Sequence, residues 1–207
     1  ALGTAVKEEE VVPGMQAEEE EETEEGEEPE YDEHVWLSLR NAVTLTDVLS
    51  ENIQEIDPAN KEDYVDNAAE YVDRLNDLDG RYALTVSKGK RKEILFGDRF
   101  PFRYMADDYG LIYYAAFVGC SAESEASFET ITFLAQKVDD LKLPVILTIE
   151  GSDHNIAESI KNATESKNQE ILTMNSMQSV TVDDVTAGET YLDVMEDNLN
   201  ALSQALN

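Results

Sequence analysis

From residue 92 onward, short apolar segments alternate with longer amphipathic ones, and this alternation restricts the fold more than any other feature. The short segments read as strands and are 93–96, 112–117, 144–149 and 170–174. The intervening segments carry apolar residues at helical spacing and predict helices over 100–109, 128–141, 156–163 and 190–206. Strands joined through helices need crossover connections, which place them parallel in one sheet. The sequence therefore predicts an α/β fold with a four-stranded parallel sheet flanked by helices.

Two further helices are predicted before the first strand. Apolar residues near helical spacing indicate one helix over 41–55. Asp57 followed by Pro58 is typical of a helix start, because Asp caps the free N–H groups and Pro suits the first helical position. The second helix is predicted from 58 to about 79, since Gly80 is expected to end it.

An acidic segment precedes these helices. Residues 18–30 contain ten glutamates and no apolar side chain, so residues 17–30 are predicted to be disordered. The segment leads into Trp36, the only tryptophan, and His34. From residue types alone His34 has two interpretations, a metal ligand at the mouth of a carboxylate-rich loop or an ordinary histidine at the edge of the core.

The charge of the chain limits its partners. The formal net charge is -31, with -14 carried by residues 1–33 and -17 by the remainder. Nucleic acids and anionic membrane surfaces are poor partners because this field repels them. Cations are attracted, although an acidic extracellular interaction protein would have the same composition.

The nucleophilic and metal-ligating residue types are sparse. Cys120 is the only cysteine, which excludes an intramolecular disulfide and a multi-cysteine zinc site. The two histidines, His34 and His154, give no readable catalytic arrangement, and His154 is interpreted as a surface residue. A glycine-rich phosphate loop is absent from the sequence. We therefore do not expect an enzyme.

Polar residues follow three of the predicted strands. Asp98 comes after the first strand, Glu150 after the third and Asn175 after the fourth. Ligands of open parallel sheets bind beyond the carboxyl ends of the strands. The sequence thus predicts a polar cluster at this edge, with His34 in the loop that enters the domain.

The segment His34–Ala42, which reads HVWLSLRNA, resembles the second-ligand segment of the substrate-binding proteins of zinc and manganese ABC importers. Those proteins carry Asp-Pro-His-x-Trp-Leu-x-Pro-x-Asn-Ala at this place, and here Glu33 and Leu39 replace the two prolines. The resemblance continues through 57–64, 75–79 and 188–199 and covers residues 31–207. It implies one lobe of a two-lobe metal-binding protein, with the long second helix as a rigid spine.

The resemblance also implies a set of metal ligands. His34 matches the second ligand, and we expect it at an exposed cleft with one ring nitrogen outward and the other on a carboxylate or carbonyl. Gly97 occupies the third ligand's place, which leaves neighbouring Asp98 as the substitute. Asn175 stands where the fourth ligand is an aspartate. Together with Glu150 from the sheet edge, the expected metal residues are His34, Asp98, Glu150 and Asn175.

The implied function is the capture of a zinc or manganese ion for an ABC importer. Residues 1–33 would comprise a remnant of the N-terminal lobe and the acidic loop, and 34–207 the C-terminal lobe. The expected partners are the missing N-terminal lobe, which holds the first ligand, and the permease of the importer. We expect a monomer outside the bacterial cytoplasm, membrane-anchored or periplasmic, without a tightly held metal in this part alone. The rival interpretation is an acidic cell-surface interaction or adhesin module on the same scaffold.

Overall fold

The computed structural model describes residues 6–16, 31–121 and 125–207. The segment 17–30, predicted to be disordered, lies outside the described residues. Within the described ranges, no helix is both long and apolar enough to cross a membrane.

Helices and strands alternate along most of the chain. The helices are α1 (Leu39–Ile56), α2 (Lys61–Lys88), α3 (Arg103–Tyr109), α4 (Phe128–Leu141), α5 (Asn155–Ala163), α6 (Val182–Ala187) and α7 (Tyr191–Ala205). The strands are β1 (Glu93–Phe100), β2 (Ile112–Val118), β3 (Val145–Ile149) and β4 (Glu170–Met174). Two short 3-10 turns, Val35–Leu37 and Pro58–Asn60, precede α1 and α2.

The four strands form one parallel sheet in the order β2-β1-β3-β4. Successive residues of β1 point to opposite faces, so that Ile94 and Phe96 enter one core and Leu95 enters the other. Residues of α2, α3 and α7 belong to the first core, and residues of α4 and α5 to the second. The predicted parallel sheet with helices on both faces is confirmed.

Helix α2 is longer than the sequence predicted. It continues past Gly80 to Lys88, so the predicted end at Gly80 was wrong. Glycine in an exposed helix interior costs only about 1 kcal/mol relative to alanine, and burial of residues on both sides outweighs this cost. The buried residues of α2 are Leu75, Leu78, Tyr82 and Val86.

Strand β1 also extends beyond its prediction. The sequence placed its end at Phe96 and a helix from Phe100, whereas β1 continues to Phe100 and α3 begins at Arg103. Phe96 pairs with Ala115 and Arg99 with Phe117, so β1 holds one extra residue between these pairs. This extra residue is a β-bulge, which bends the strand and redirects its side chains without ending the pairing.

Gly97 lies in this bulge and packs tightly against α5. A Cβ atom at Gly97 would lie 2.6 Å from Ala157 Cα. A glycine inside a strand often marks such a close approach of backbones, whereas the sequence analysis had placed Gly97 beyond the end of the strand, at the third ligand's position.

Helix α6 was not predicted. Thr181 and Asp184 form a capping box at its start, and Gly188 ends it in the left-handed conformation with φ 93°. With six residues, α6 is too short for a periodic apolar pattern to reveal.

We expect the substitution Gly97→Ala to lower the free energy of unfolding by about 1–3 kcal/mol, because the added methyl group overpacks the contact with α5. The matched substitution Gly80→Ala should raise it by up to about 1 kcal/mol, since nothing lies within 4 Å of a Cβ there. Urea unfolding of both variants measures the two effects. Equal stabilities would contradict the packing described at Gly97.

Candidate metal centre

His34 lies at the carboxyl end of β2, directly before the turn Val35–Leu37. Its ring packs against Gly119, where a Cβ atom would come within 3.0 Å of His34 Cε1. The side chain is buried, with 3% of the residue's surface exposed. The location at the sheet edge agrees with the sequence prediction, but the expected exposure was wrong because the ring fills the space that Gly119 leaves free.

Asp32 orients the His34 ring. Asp32 Oδ1 accepts hydrogen bonds from His34 N and from His34 Nδ1, both at 2.9 Å. The backbone of Asp32 is itself fixed, since Tyr104 Oη donates to its carbonyl oxygen at 2.8 Å. The expectation that one ring nitrogen meets a carboxylate is confirmed. With the proton on Nδ1, the lone pair of the neutral ring lies on Nε2.

Gln178 occupies the other side of the ring. Its amide nitrogen lies 2.8 Å from His34 Nε2. An amide NH₂ group only donates, so His34 Nε2 must be the acceptor in this contact. Asp32 and Gln178 therefore specify the same tautomer from opposite ends. This tautomer is the one in which a histidine binds a metal through Nε2.

Trp36 connects the His34 turn to the far end of the sheet. Its ring lies 5.4 Å from the His34 ring, centroid to centroid, and its Nε1 donates to Ser176 O at 2.9 Å. Tyr191 Oη of α7 donates to Trp36 O at 2.8 Å. The turn is thus held both by the loop after β4 and by α7.

Glu150 follows β3 and binds the loop after β4. Its Oε2 accepts from Ser176 N at 2.7 Å, and its Oε1 accepts from Ser176 Oγ at 2.7 Å and from Gln178 N at 3.1 Å. Both carboxylate oxygens therefore accept hydrogen bonds from residues 176–178. A role of Glu150 as metal ligand stays a prediction.

Asp98 and Asn175 also have partners within the lobe. Asp98 lies in the β1 bulge and is buried, and its carboxylate accepts from Arg99 N at 2.9 Å and from Ile149 N at 3.4 Å. Asn175 Oδ1, the atom that the resemblance assigns to the metal, accepts from Met177 N at 2.7 Å. The metal roles of both residues stay predictions.

Within residues 6–16, 31–121 and 125–207, no group of three or more His, Cys, Asp and Glu side chains is placed to hold a metal ion. His34, Asp98 and Glu150 therefore do not form a closed site by themselves in the described part of the chain. A zinc site of usual affinity needs three or four ligands. Further ligands would have to come from outside the described residues.

Two neighbouring groups have shifted pKa values. Desolvation raises the pKa of the Cys120 thiol to about 11, and the Glu9 carboxylate adds to this effect. The thiol next to Gly119 is therefore protonated at neutral pH and is a poor metal ligand.

Burial raises the pKa of the Asp108 carboxyl, although Ser38 Oγ donates to it at 2.6 Å and opposes the shift. This contact ties the start of α1 to α3.

The comparisons with known proteins agree with the geometry. Residues 2–205 match the family ZnuA, zinc-uptake complex component A, periplasmic. The chain belongs to this family. The family resemblance that the segment at His34 indicated is thereby confirmed.

Individual relatives cover the chain well but extend beyond it. The zinc-binding lipoprotein AdcA of Streptococcus pneumoniae (strain R6) is 34% identical over 196 residues, which are 94% of this chain and 38% of the relative. The high-affinity zinc uptake system protein ZnuA of Bacillus subtilis (strain 168) is 30% identical over 175 residues, or 84% of this chain and 53% of the relative. The chain thus spans about half or less of these curated relatives.

A solved structure supports the same assignment. The Zn(II)-bound ZnuA-like domain of Streptococcus pneumoniae AdcA superposes with a TM-score of 0.69 at 32% identity, covering 85% of this chain and 64% of that one. The α/β architecture of the ZnuA family is therefore shared.

Sequence reasoning missed three residues that shape the site, Asp32, Gly119 and Gln178. Asp32 was detectable, because an aspartate two residues before a histidine often accepts from its backbone N–H. Gln178 had no local signal, since it contacts His34 across 144 positions.

We expect Asp32→Ala to lower the free energy of unfolding by about 1–3 kcal/mol, because it leaves two buried His34 N–H groups without their acceptor. Asp32→Asn should lower it less, since an amide oxygen still accepts from the backbone N–H. Urea unfolding tests both, with Asp66→Ala on the exposed side of α2 as control, expected within about 0.5 kcal/mol of wild type. A loss for Asp32→Ala no larger than the control's would contradict the assigned role of Asp32.

Proposed function

We propose that the chain is the C-terminal lobe of an extracytoplasmic solute-binding protein that captures zinc for an ABC importer. The observation that carries the proposal is the orientation of His34, with Nδ1 on Asp32 and the lone pair of Nε2 toward the loop after β4. Membership in the ZnuA family and the similarity to a zinc-binding lipoprotein and a zinc uptake protein support it.

Zinc is cargo in this proposal, and His34 binds it through Nε2. Imidazole nitrogen is a preferred zinc ligand, whereas manganese favours oxygen donors. The Asp32 carboxylate on Nδ1 fixes the tautomer and the direction of the ring, as partners of ligating histidines generally do. Of the two metals that the sequence analysis left open, the histidine favours zinc.

The remaining ligands would come in part from a second lobe. Apolar side chains on the outer parts of α1 and α2 support a packing partner there. Four apolar residues are solvent-exposed on these parts of the helices, namely Leu49, Ile53, Ile56 and Val65. The fully buried residues of α2 all lie between 75 and 86, whereas in the outer half of this long helix Tyr71 is only partly buried against the same core. A spine that joins two lobes, each packed on part of it, accounts for both features.

The acidic segment attracts the cation toward the site by its negative charge. It ends two residues before Asp32, at Glu30, and residues 1–33 carry a net charge of -14. A field of this sign raises the local concentration of cations and their association rate, and salt weakens both effects. Carboxylates are hard ligands and poor competitors of imidazole for zinc. The segment therefore concentrates zinc without retaining it.

The decisive test replaces His34 in the full-length protein. We expect His34→Ala and His34→Gln to abolish high-affinity zinc binding, measured by isothermal titration against a competing chelator, because the ion loses its imidazole ligand. His154→Ala, at a histidine bonded to Thr148 Oγ1 at 3.1 Å on a different loop, is the matched control and should bind like wild type.

Because His34 is buried and doubly hydrogen-bonded, His34→Ala should also lower the free energy of unfolding by about 1–3 kcal/mol. Urea unfolding must therefore show that each variant is folded at the titration temperature. Zinc affinity that survives both substitutions in folded protein would refute the proposed role of His34.

A second test concerns the acidic segment. Replacement of its ten glutamates by glutamine should slow zinc association at low ionic strength and leave dissociation unchanged, because steering acts on encounter rather than on the bound ion. Stopped-flow measurements at low and high salt provide the comparison, and the variants should converge at high salt. A difference in dissociation rate instead would identify the glutamates as retained ligands.

A further inference from the structure

The nitrogen of His34 that would receive the metal is already occupied in the metal-free protein. Gln178 places its amide NH₂ group 2.8 Å from His34 Nε2. A metal ion and an amide N–H cannot use the same lone pair, so one must leave before the other binds. Gln178 is an exposed residue, and its side chain can rotate into solvent without disturbing the core.

The loop that carries Gln178 is held in place independently of this contact. Met177 has a positive φ of 61°, which is uncommon for a residue other than glycine. Asn175 Oδ1 accepts from Met177 N at 2.7 Å and stabilises this turn. Asn198 of α7 bonds the Asn175 backbone at both its N–H and its carbonyl, at 2.7 and 2.8 Å. These hydrogen bonds therefore fix the backbone that carries Gln178.

Glu150 adds further hydrogen bonds that hold this loop. Its carboxylate accepts from Ser176 N, Ser176 Oγ and Gln178 N, so it bonds the backbone of the same residue whose side chain reaches His34. Ser176 is fully buried, and its carbonyl accepts from Trp36 Nε1 at 2.9 Å. The loop and the His34 turn are thereby linked by a second, rigid contact beside the Gln178–His34 bond.

We propose that Gln178 caps the metal-accepting nitrogen of His34 in the metal-free protein, and that Glu150 is the positioning residue that holds the cap in place. The inference rests on the proposed function, since it concerns the zinc-binding atom of His34. The cap gives the buried lone pair of Nε2 a hydrogen-bond partner. It also lowers zinc affinity, because binding must first break the amide contact.

The variants Gln178→Leu and Gln178→Ala remove the donor, the first at nearly constant size. In the full-length protein both should bind zinc about two- to tenfold more tightly than wild type, the range that corresponds to the net value of one hydrogen bond. Gln204→Ala, at an exposed glutamine near the end of α7, is the matched control and should leave affinity unchanged. Weaker zinc binding by Gln178→Leu would overturn the proposal and identify the amide as a ligand.

Glu150→Gln separates the positioning role from the ligand role that the sequence suggested. An amide in place of the carboxylate accepts fewer of the three hydrogen bonds and loosens the loop, so zinc affinity should rise, by less than in Gln178→Leu. If Glu150 were a metal ligand, zinc affinity should fall instead, because loss of the negative charge weakens binding of the ion. A fall in affinity for Glu150→Gln thus overturns the assignment of Glu150 as a positioning residue.

A measurement without metal tests the cap independently of zinc binding. In the metal-free chain, the ¹⁵N resonance of His34 Nε2 should shift in Gln178→Leu, while that of Nδ1, bonded to Asp32, should stay in place. An unchanged Nε2 resonance overturns the cap even if His34 proves to be the zinc ligand. A shifted Nε2 resonance together with unimpaired zinc binding by His34→Ala would refute the proposed role of His34 as zinc ligand and leave the contact between Gln178 and His34 standing.

Discussion

The site depends on one buried interaction, the acceptance of two His34 N–H groups by a single Asp32 carboxylate oxygen. The backbone contact closes a tight turn, and the ring contact selects the Nδ1 proton. A buried carboxylate is tolerated only where donors compensate its lost hydration, and these two donors supply that compensation. The direction of Nε2, the packing against Gly119 and the contact with Gln178 all depend on these two hydrogen bonds.

The sheet could be predicted because its evidence is local. Four short apolar segments and the helical periodicity between them are sufficient to specify parallel strands joined by crossovers, and the structure confirms this. The errors arose where tertiary packing overrides a local signal. Gly80 does not end α2 because Leu78 and Tyr82 are buried on either side of it, and Gly97 does not end β1 because pairing with β2 resumes beyond the bulge.

The candidate site was only partly predictable for the same reason. The edge of the sheet and the motif around His34 were readable, but the partners of each polar side chain were not. Glu150 was assigned to a metal because it follows a strand, and Asn175 because the family resemblance places it at the fourth ligand. The structure shows them bonded to the loop 176–178, and Gln178, which drew no attention in the sequence, contacts the ring of His34. Periodicity locates strand ends, but it does not specify side-chain pairing across 144 residues.

The sequence separation of these contacts has a consequence for the order in which the lobe folds. Trp36 contacts Ser176 and Tyr191, and His34 contacts Gln178, so the turn at the beginning of the lobe joins segments near its end. Such distant pairings carry the largest loop-closure entropy and form late in folding. During synthesis from the N-terminus, His34 lacks its distant neighbours until most of the chain has emerged. A nascent or truncated polypeptide can therefore offer the imidazole only the local contact with Asp32, and the ring acquires its remaining partners in the finished lobe.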